Sequence, residues 1–123
     1  MQNKPFNLGP VALTTTLTTN ILNPPTLTGG VGAGETKTYI VLRHIRIVNK
    51  TGSAATFSLW RGATGANTAG TEVVGIAQSV AANSAYDFFT PGMYFSTAHF
   101  LVGGAGTATA LTIEGFGEIG IAD

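Results

Sequence analysis

Apolar residues fall at every second position on both sides of a short polar segment near the middle of the chain. The polar segment is N-K-T-G-S (49–53). A period of two places one face of each flanking β-strand against a core. The glycine of the segment can adopt positive φ and its neighbours can bond their own backbone, so a hairpin turn is predicted. The residues predicted to face the core are Ile45, Ile47, Phe57 and Leu59.

The segment 36–49 carries the longest strand signal, but its alternation is broken once. Arg43 falls at a position where the pattern calls for an apolar residue. One extra residue in a strand shifts the register and moves the side chains beyond it to the other face, so we predict a β-bulge near 41–43. The apolar residues that share the parity of Arg43 are Tyr39, Val41, Ile45 and Ile47.

Short strand patterns separated by turn residues fill the rest of the chain. Turn signals recur about every 8–12 residues, the spacing typical of an all-β sandwich or barrel. No stretch longer than a turn has a clear 3.6-residue apolar period. The predicted fold is all-β, an antiparallel β-sandwich or a jelly-roll-like barrel. The further strand segments are 55–61, 72–77, 85–89, 93–102 and 108–119.

The N-terminal third differs in composition from the rest of the chain. Prolines at 5, 10, 24 and 25 remove backbone donors, and the Gly-dense segment 28–35 is flexible. These features predict an extended arm over 1–34 and a β-sandwich body over 35–123. Apolar side chains in such an arm suit strand addition onto a neighbouring chain. The predicted arm interface consists of Val11, Leu13, Leu17, Ile21 and Leu22.

Charge and composition limit the partners. Only 10% of the 123 residues are charged and the formal net charge is +0, against roughly 25% charged in an average soluble domain. Nothing in this balance favours nucleic acid or an anionic membrane as a partner. The weakly charged, Thr-rich exterior instead indicates surface covered by neighbouring subunits. We therefore expect a homo-oligomer.

Several chemistries are disfavoured by residue type. The chain has no cysteine, which excludes disulfides, zinc–thiolate sites and thiol nucleophiles. It has no apolar run long enough for a transmembrane helix and no apolar segment of the secretory type near its start, so neither membrane insertion nor export is expected. Its Gly-rich segments lack the Lys and the following helix of a phosphate-binding loop.

Candidate catalytic and metal-binding residues are few. His44 and His99 lack an acidic neighbour at ligand spacing, and His44 has the solvent-facing parity beside Arg46. Paired carboxylates could in principle hydrolyse a glycosidic bond, but carboxylates at strand edges are more often solvated. We therefore predict no enzyme activity, no metal and no cofactor. The carboxylates considered are Glu72, Asp87, Glu114 and Glu118.

Aromatic residues are more informative. Phe88 and Phe89 are adjacent, so on a strand one of them must point outward, and Trp60 lies on the opposite face from Phe57. Three explanations stay open: both sheet faces are covered within the fold, the rings form an intersubunit patch, or they stack against sugars. The predicted body interface consists of Trp60, Phe88 and Tyr94.

Three stretches resemble small β-sandwich structural proteins of tailed bacteriophages. They are I-R-I-V-N-K-T-G-S-A-A-T-F-S-L (45–59), A-A-N-S-A-Y (81–86) and A-L-T-I-E-G (110–115). The resemblance covers 36–119 and concerns turns and strand ends. Proteins of this kind serve as capsid decoration (cement) proteins, head fibres or tail-associated subunits, and the resemblance implies no catalytic residue.

The resemblance implies a function in virion assembly. The first expectation is a capsid decoration protein on the outside of the virion, made in the host cytoplasm, that binds the major capsid protein as an oligomer, with a trimer favoured. The alternative is a tail or fibre module that recognises host surface glycans through Trp60 and the exposed loops. A small hydrolase with a carboxylate pair in a cleft is the third and least favoured hypothesis.

Overall fold

The computed structural model describes residues 4–23, 38–96 and 99–121, which form eight β-strands and no helix. The all-β prediction is confirmed. The strands are β1 (Lys4–Ala12), β2 (Asn20–Leu22), β3 (Thr38–Asn49), β4 (Ala55–Gly62), β5 (Gln78–Val80), β6 (Ser84–Phe95), β7 (Phe100–Ala105) and β8 (Leu111–Ile121).

The strands form two antiparallel sheets that pack face to face around one core. Sheet A has the order β1-β8-β3-β6 and sheet B has the order β2-β7-β4-β5. The first strand therefore pairs with the last, the second with the seventh, the third with the sixth, and the fourth with the fifth. This nested pairing is the jelly-roll arrangement of a β-sandwich.

The core is built from the residues that the alternation points inward. Ile45 and Ile47 from sheet A and Phe57 and Leu59 from sheet B are all fully buried in the same apolar cluster. Burying side chains of this size contributes about 1.5–3 kcal/mol each. The predicted inward face is correct on both sides of the polar segment.

The predicted hairpin between these two stretches is wrong. β3 lies in sheet A between β8 and β6, whereas β4 lies in sheet B, so the chain crosses between sheets after Asn49. The buried amide of Asn49 donates to the carbonyl oxygens of Ser53 and Val80, and its oxygen accepts from the backbone N–H of Thr51. These bonds satisfy the buried side chain and hold the crossing segment.

The predicted bulge is confirmed and determines which residues face outward. The pairing of β3 with both neighbours shifts register between Leu42 and His44. Before the shift, the buried residues are Ile40 and Leu42, so Tyr39 lies on the outer face. Gly117 of β8 lies against this bulge, where a Cβ would collide with the carbonyl oxygen of Val41.

The N-terminal stretch is extended as predicted, but it is not an arm separate from the body. β1 pairs with β8 as an edge strand of sheet A, and β2 pairs with β7 as an edge strand of sheet B. The strand addition predicted for this stretch therefore takes place within the same chain. The predicted boundary after Gly34 lies outside the described residues.

Candidate functional site

The outer face of sheet A carries a stack of three rings across three strands. His44 of β3 lies opposite Phe89 of β6 on one side and opposite Phe116 of β8 on the other. Its imidazole is 4.2 Å from the Phe89 ring, with the planes 8° apart, and 5.4 Å from the Phe116 ring, with the planes 27° apart. Neighbouring strands lie about 4.8 Å apart, so rings at opposed positions stack across the sheet.

Aromatic rings on this face are unusually exposed. Phe89 is 72% exposed, Tyr94 45% and Phe116 38%. Tyr94 also stacks on Tyr39, with 5.6 Å between the ring centroids. Exposed aromatic surface of this kind marks interaction sites in proteins. We call Tyr39, His44, Phe89, Tyr94 and Phe116 the aromatic patch.

A row of charged residues lies beside the aromatic patch, two positions from His44 on β3, from Phe89 on β6 and from Phe116 on β8. Arg46 of β3 is opposite Asp87 of β6 and Glu114 of β8. The Asp87 carboxylate lies 2.8 Å from Nε2 of His44 and 4.0 Å from Nε of Arg46. On the other side of the bulge, Arg43 forms an ion pair with Glu118. These pairs are largely solvated and add little stability.

Two shallow, open depressions adjoin the charged row. The first, of about 470 Å³, lies among His44, Arg46, Val48, Glu114 and Phe116. The second, of about 340 Å³, continues from Arg46 and Val48 toward the end of β3; its other lining residues are Asn49, Lys50, Asn83, Ser84 and Ala85. The two share Arg46 and Val48, so they adjoin along the outer face of β3, and we call them together the groove.

The predicted body interface residues have three different environments. Tyr94 is exposed within the aromatic patch. Phe88 packs against the core opposite Ile45, so Phe89, and not the predicted Phe88, is the outward member of the pair. Trp60 is only 8% exposed. The segment that follows β4 runs back beside this strand, and its Glu72 forms an isolated antiparallel β-bridge with Trp60.

The predicted arm interface residues mostly pack inside this chain. Leu13 and Leu22 are buried in the core, and Val11 and Ile21 are partly buried against it. Leu17 is exposed. Leu13 and Leu22 are therefore not available for an intermolecular interface, whereas for Val11, Ile21 and Leu17 such an interface stays a prediction.

The second histidine, His99, is not part of the aromatic patch. His99 precedes β7, and its Nδ1 lies 3.0 Å from the backbone nitrogen of Ser96 and 3.1 Å from the Ser96 hydroxyl. Burial and the nearby charge of Arg61 lower the pKa of His99 below its usual value. Within the described ranges, no three His, Asp or Glu side chains converge in a way that could hold a metal ion.

Comparisons with protein-family models, with curated proteins and with solved structures find no match. Among the residues that the structure describes, no helix has the length and apolarity needed to cross a membrane.

Proposed function

We propose that this protein is a non-enzymatic structural component of a tailed-phage virion, a capsid decoration protein that binds the outer capsid surface as an oligomer. Its partners in this proposal are the major capsid protein and further copies of the same chain. The observation that carries the proposal is the aromatic patch, in which Phe89 leaves most of its surface in solvent.

Covering the exposed rings with a partner would lower the free energy of the rings. An exposed phenyl group contributes little to the fold, but when a partner covers it the gain is about 25 cal/mol for each Å² removed from water. Aromatic residues are enriched in protein interfaces for this reason. The stack on His44 also holds the Phe89 side chain in place before binding, which reduces the entropy lost on association.

The strand order gives independent but weaker support. Jelly-roll sandwiches occur in viral capsid domains, and also in lectins and cupins. A fold of this kind supports many functions, so it favours the proposal only together with the aromatic patch and the resemblance to phage structural proteins. The trimer expected from the sequence stays a prediction.

A capsid-binding assay tests the proposal. Capsids assembled from the major capsid protein of the phage that carries this gene, without the decoration protein, would be mixed with wild type or variants and sedimented. Phe89→Ser should reduce affinity at least about tenfold, corresponding to 1.4 kcal/mol. Ile76→Ser is the matched control, because Ile76 is also an exposed large apolar residue but lies in a loop outside the aromatic patch.

The outcomes are distinct. If both variants melt at the same temperature as the wild type, the fold is intact, as expected for two exposed side chains. Wild type that fails to sediment with capsids would contradict the proposal. Equal weakening by both variants would show that the aromatic patch is not the contact surface. Sedimentation velocity of the free protein gives the oligomeric state in the same series.

The alternative, a tail or fibre module that binds host glycans through Trp60 and the exposed loops, cannot use Trp60 as its stacking ring. A sugar can stack only on a ring with an accessible face, and Trp60 is buried. A glycan site on this protein would have to use another surface.

A further inference from the structure

The groove on the outer face of β3 differs chemically from the aromatic patch beside it. Its central residues are Arg46 and Glu114, which lie opposite each other on neighbouring strands. Val48 provides an apolar floor in both depressions, and Lys50 and Asn83 line the far end. Phe116 forms the border with the aromatic patch.

Two cationic groups, Arg46 and Lys50, and one carboxylate, Glu114, line the groove, and a second carboxylate, Asp87, lies beside Arg46 without lining either depression. The charges at and beside the groove therefore balance. An anionic ligand would meet the two carboxylates, and a cationic ligand would meet the two basic groups. The balance favours a neutral ligand that both donates and accepts hydrogen bonds.

Hydroxyl groups meet this requirement better than peptide groups. A hydroxyl donates to a carboxylate and accepts from a guanidinium through the same oxygen. The groove lies on the face of a sheet whose central strand is already paired on both sides by β6 and β8. An added peptide strand would therefore find no backbone partners here, whereas the side chains of Arg46, Glu114 and Asn83 are available for hydroxyls.

We infer that the groove binds a neutral, linear oligosaccharide that lies along β3. The hydroxyls of one sugar ring bridge Arg46 and Glu114, and its apolar C–H face rests on Val48 and against Phe116. The two adjoining, open depressions, of about 470 and 340 Å³, are as large as small-ligand sites. The groove shares His44 and Phe116 with the aromatic patch, but the inference does not depend on capsid binding, because its test uses the free protein.

NMR titration of the ¹⁵N-labelled full chain tests the inference. The neutral probes are cellohexaose and N-acetylchitohexaose at millimolar concentration; the charged comparisons are a hexamer of galacturonic acid and the deacetylated, cationic chitohexaose. At least one neutral probe should shift the backbone amide signals of Arg46, Val48 and Glu114 in a saturable way. The charged probes should bind more weakly than that neutral probe.

Two arginines of the same strand provide a matched pair of variants. Arg46 and Arg43 have equally exposed side chains, 49% each, and both lie beside a carboxylate, but only Arg46 lines the groove. Arg46→Met should weaken binding at least tenfold, whereas Arg43→Met should leave it unchanged. Glu114→Gln, which keeps the shape but removes the charge, should weaken binding to a smaller extent.

Three results would overturn the inference. The first is that no neutral probe shifts the groove amides, which is also the result expected if another copy or a capsid subunit covers the groove. The second is tighter binding of the uronate or the cationic hexamer, which would indicate simple charge attraction. The third is equal weakening by Arg46→Met and Arg43→Met.

Discussion

The imidazole of His44 lies parallel to the phenyl ring of Phe89, with 4.2 Å between their centroids. The two residues are opposite each other after a register shift: between the Leu42–Met93 and His44–Phe89 pairs, β3 has one intervening residue and β6 has three. Without this shift, the outward residues of β3 beyond the bulge would turn toward the core. The aromatic patch and the groove therefore both depend on the bulge.

Gly117 is the residue that permits the bulge, and its replacement is the first prediction. In Gly117→Ala, the new methyl group would collide with the carbonyl oxygen of Val41, a backbone atom that cannot move without breaking the β3–β8 pairing. We expect a loss of about 2–3 kcal/mol in the free energy of unfolding, measured by urea denaturation.

The control for this prediction is Gly52→Ala. A Cβ at Gly52 has no atom within 4 Å, so the substitution should change stability by no more than about 1 kcal/mol and can raise it by restricting the unfolded chain. Equal stability of the two variants would mean that the bulge does not require glycine.

Asn49 carries the second prediction. Its amide nitrogen donates to two carbonyl oxygens, those of Ser53 and Val80. Asn49→Asp keeps the shape but places a carboxylate oxygen against these carbonyls. We expect a loss of about 2–4 kcal/mol at pH 7, since a buried charge is left facing acceptors.

The pH dependence of this variant follows from the same geometry. Burial beside two carbonyl oxygens raises the pKa of the introduced carboxyl above its unfolded value. The protonated acid can donate one hydrogen bond, so the destabilisation should be smaller at low pH and grow as pH rises through the folded pKa. A loss that is the same at pH 4 and pH 7 would contradict this account.

His99 gives a third prediction, also about pH. Burial, together with the charge of Arg61, lowers its pKa in the folded state. The unfolded chain therefore binds more protons, and the contribution of the neutral imidazole is lost as pH falls from the unfolded value of 6.5 through the folded pKa. His99→Asn retains an acceptor for the Ser96 N–H and does not titrate in this range.

The measurement is the free energy of unfolding at pH 7.5 and at pH 5.5 for both proteins. Wild type should lose more stability on acidification than His99→Asn. An identical loss in the two proteins would show that groups other than His99 account for the acid sensitivity.

Local alternation identifies the buried faces but not the strand partners. The inward positions of Ile47 and Phe57 are predictable because a period of two depends only on neighbouring residues. The partner of Ile47 on β8 is Ile113, far along the chain, and no local feature specifies that pairing. The composition of 49–53 indicates a turn, but it does not distinguish a hairpin from a crossing between sheets.

The candidate site is predictable only in part for the same reason. Adjacent rings at 88 and 89 require one outward side chain, but the choice between them depends on the register with β3. The outward position of His44 agrees with its parity in the sequence. The stack that it forms joins three strands distant in sequence, which no local pattern reveals.

Prolines are the reason that the sequence predicts a separate arm. Pro5 and Pro10 lie in β1, an edge strand of sheet A. Edge strands tolerate proline because one side of the backbone has no partner to lose. Pro10 also falls where the register of β1 shifts between Leu8 and Val11. Proline therefore marks the edge of the sheet, and not the end of the fold.

The last prediction concerns removal of this N-terminal stretch. Deleting residues 1–22 removes β1 and β2 and takes Leu8, Leu13 and Leu22 out of the core. Each buried leucine contributes about 1.5–3 kcal/mol, or about 5–9 kcal/mol for the three. Small domains have about 5–15 kcal/mol in total, so the truncated chain should lose cooperative folding, as measured by thermal melting and by the dispersion of its NMR spectrum.

A substitution in the full-length chain separates loss of burial from loss of an interface. Leu17 lies in the same N-terminal stretch but is exposed, so Leu17→Ser should leave the melting temperature unchanged. If the truncated protein instead melts cooperatively near the wild-type temperature, β1 and β2 are dispensable additions to a self-sufficient body. The N-terminal leucines would then be free to serve another subunit, as the apolar pattern of the stretch predicts.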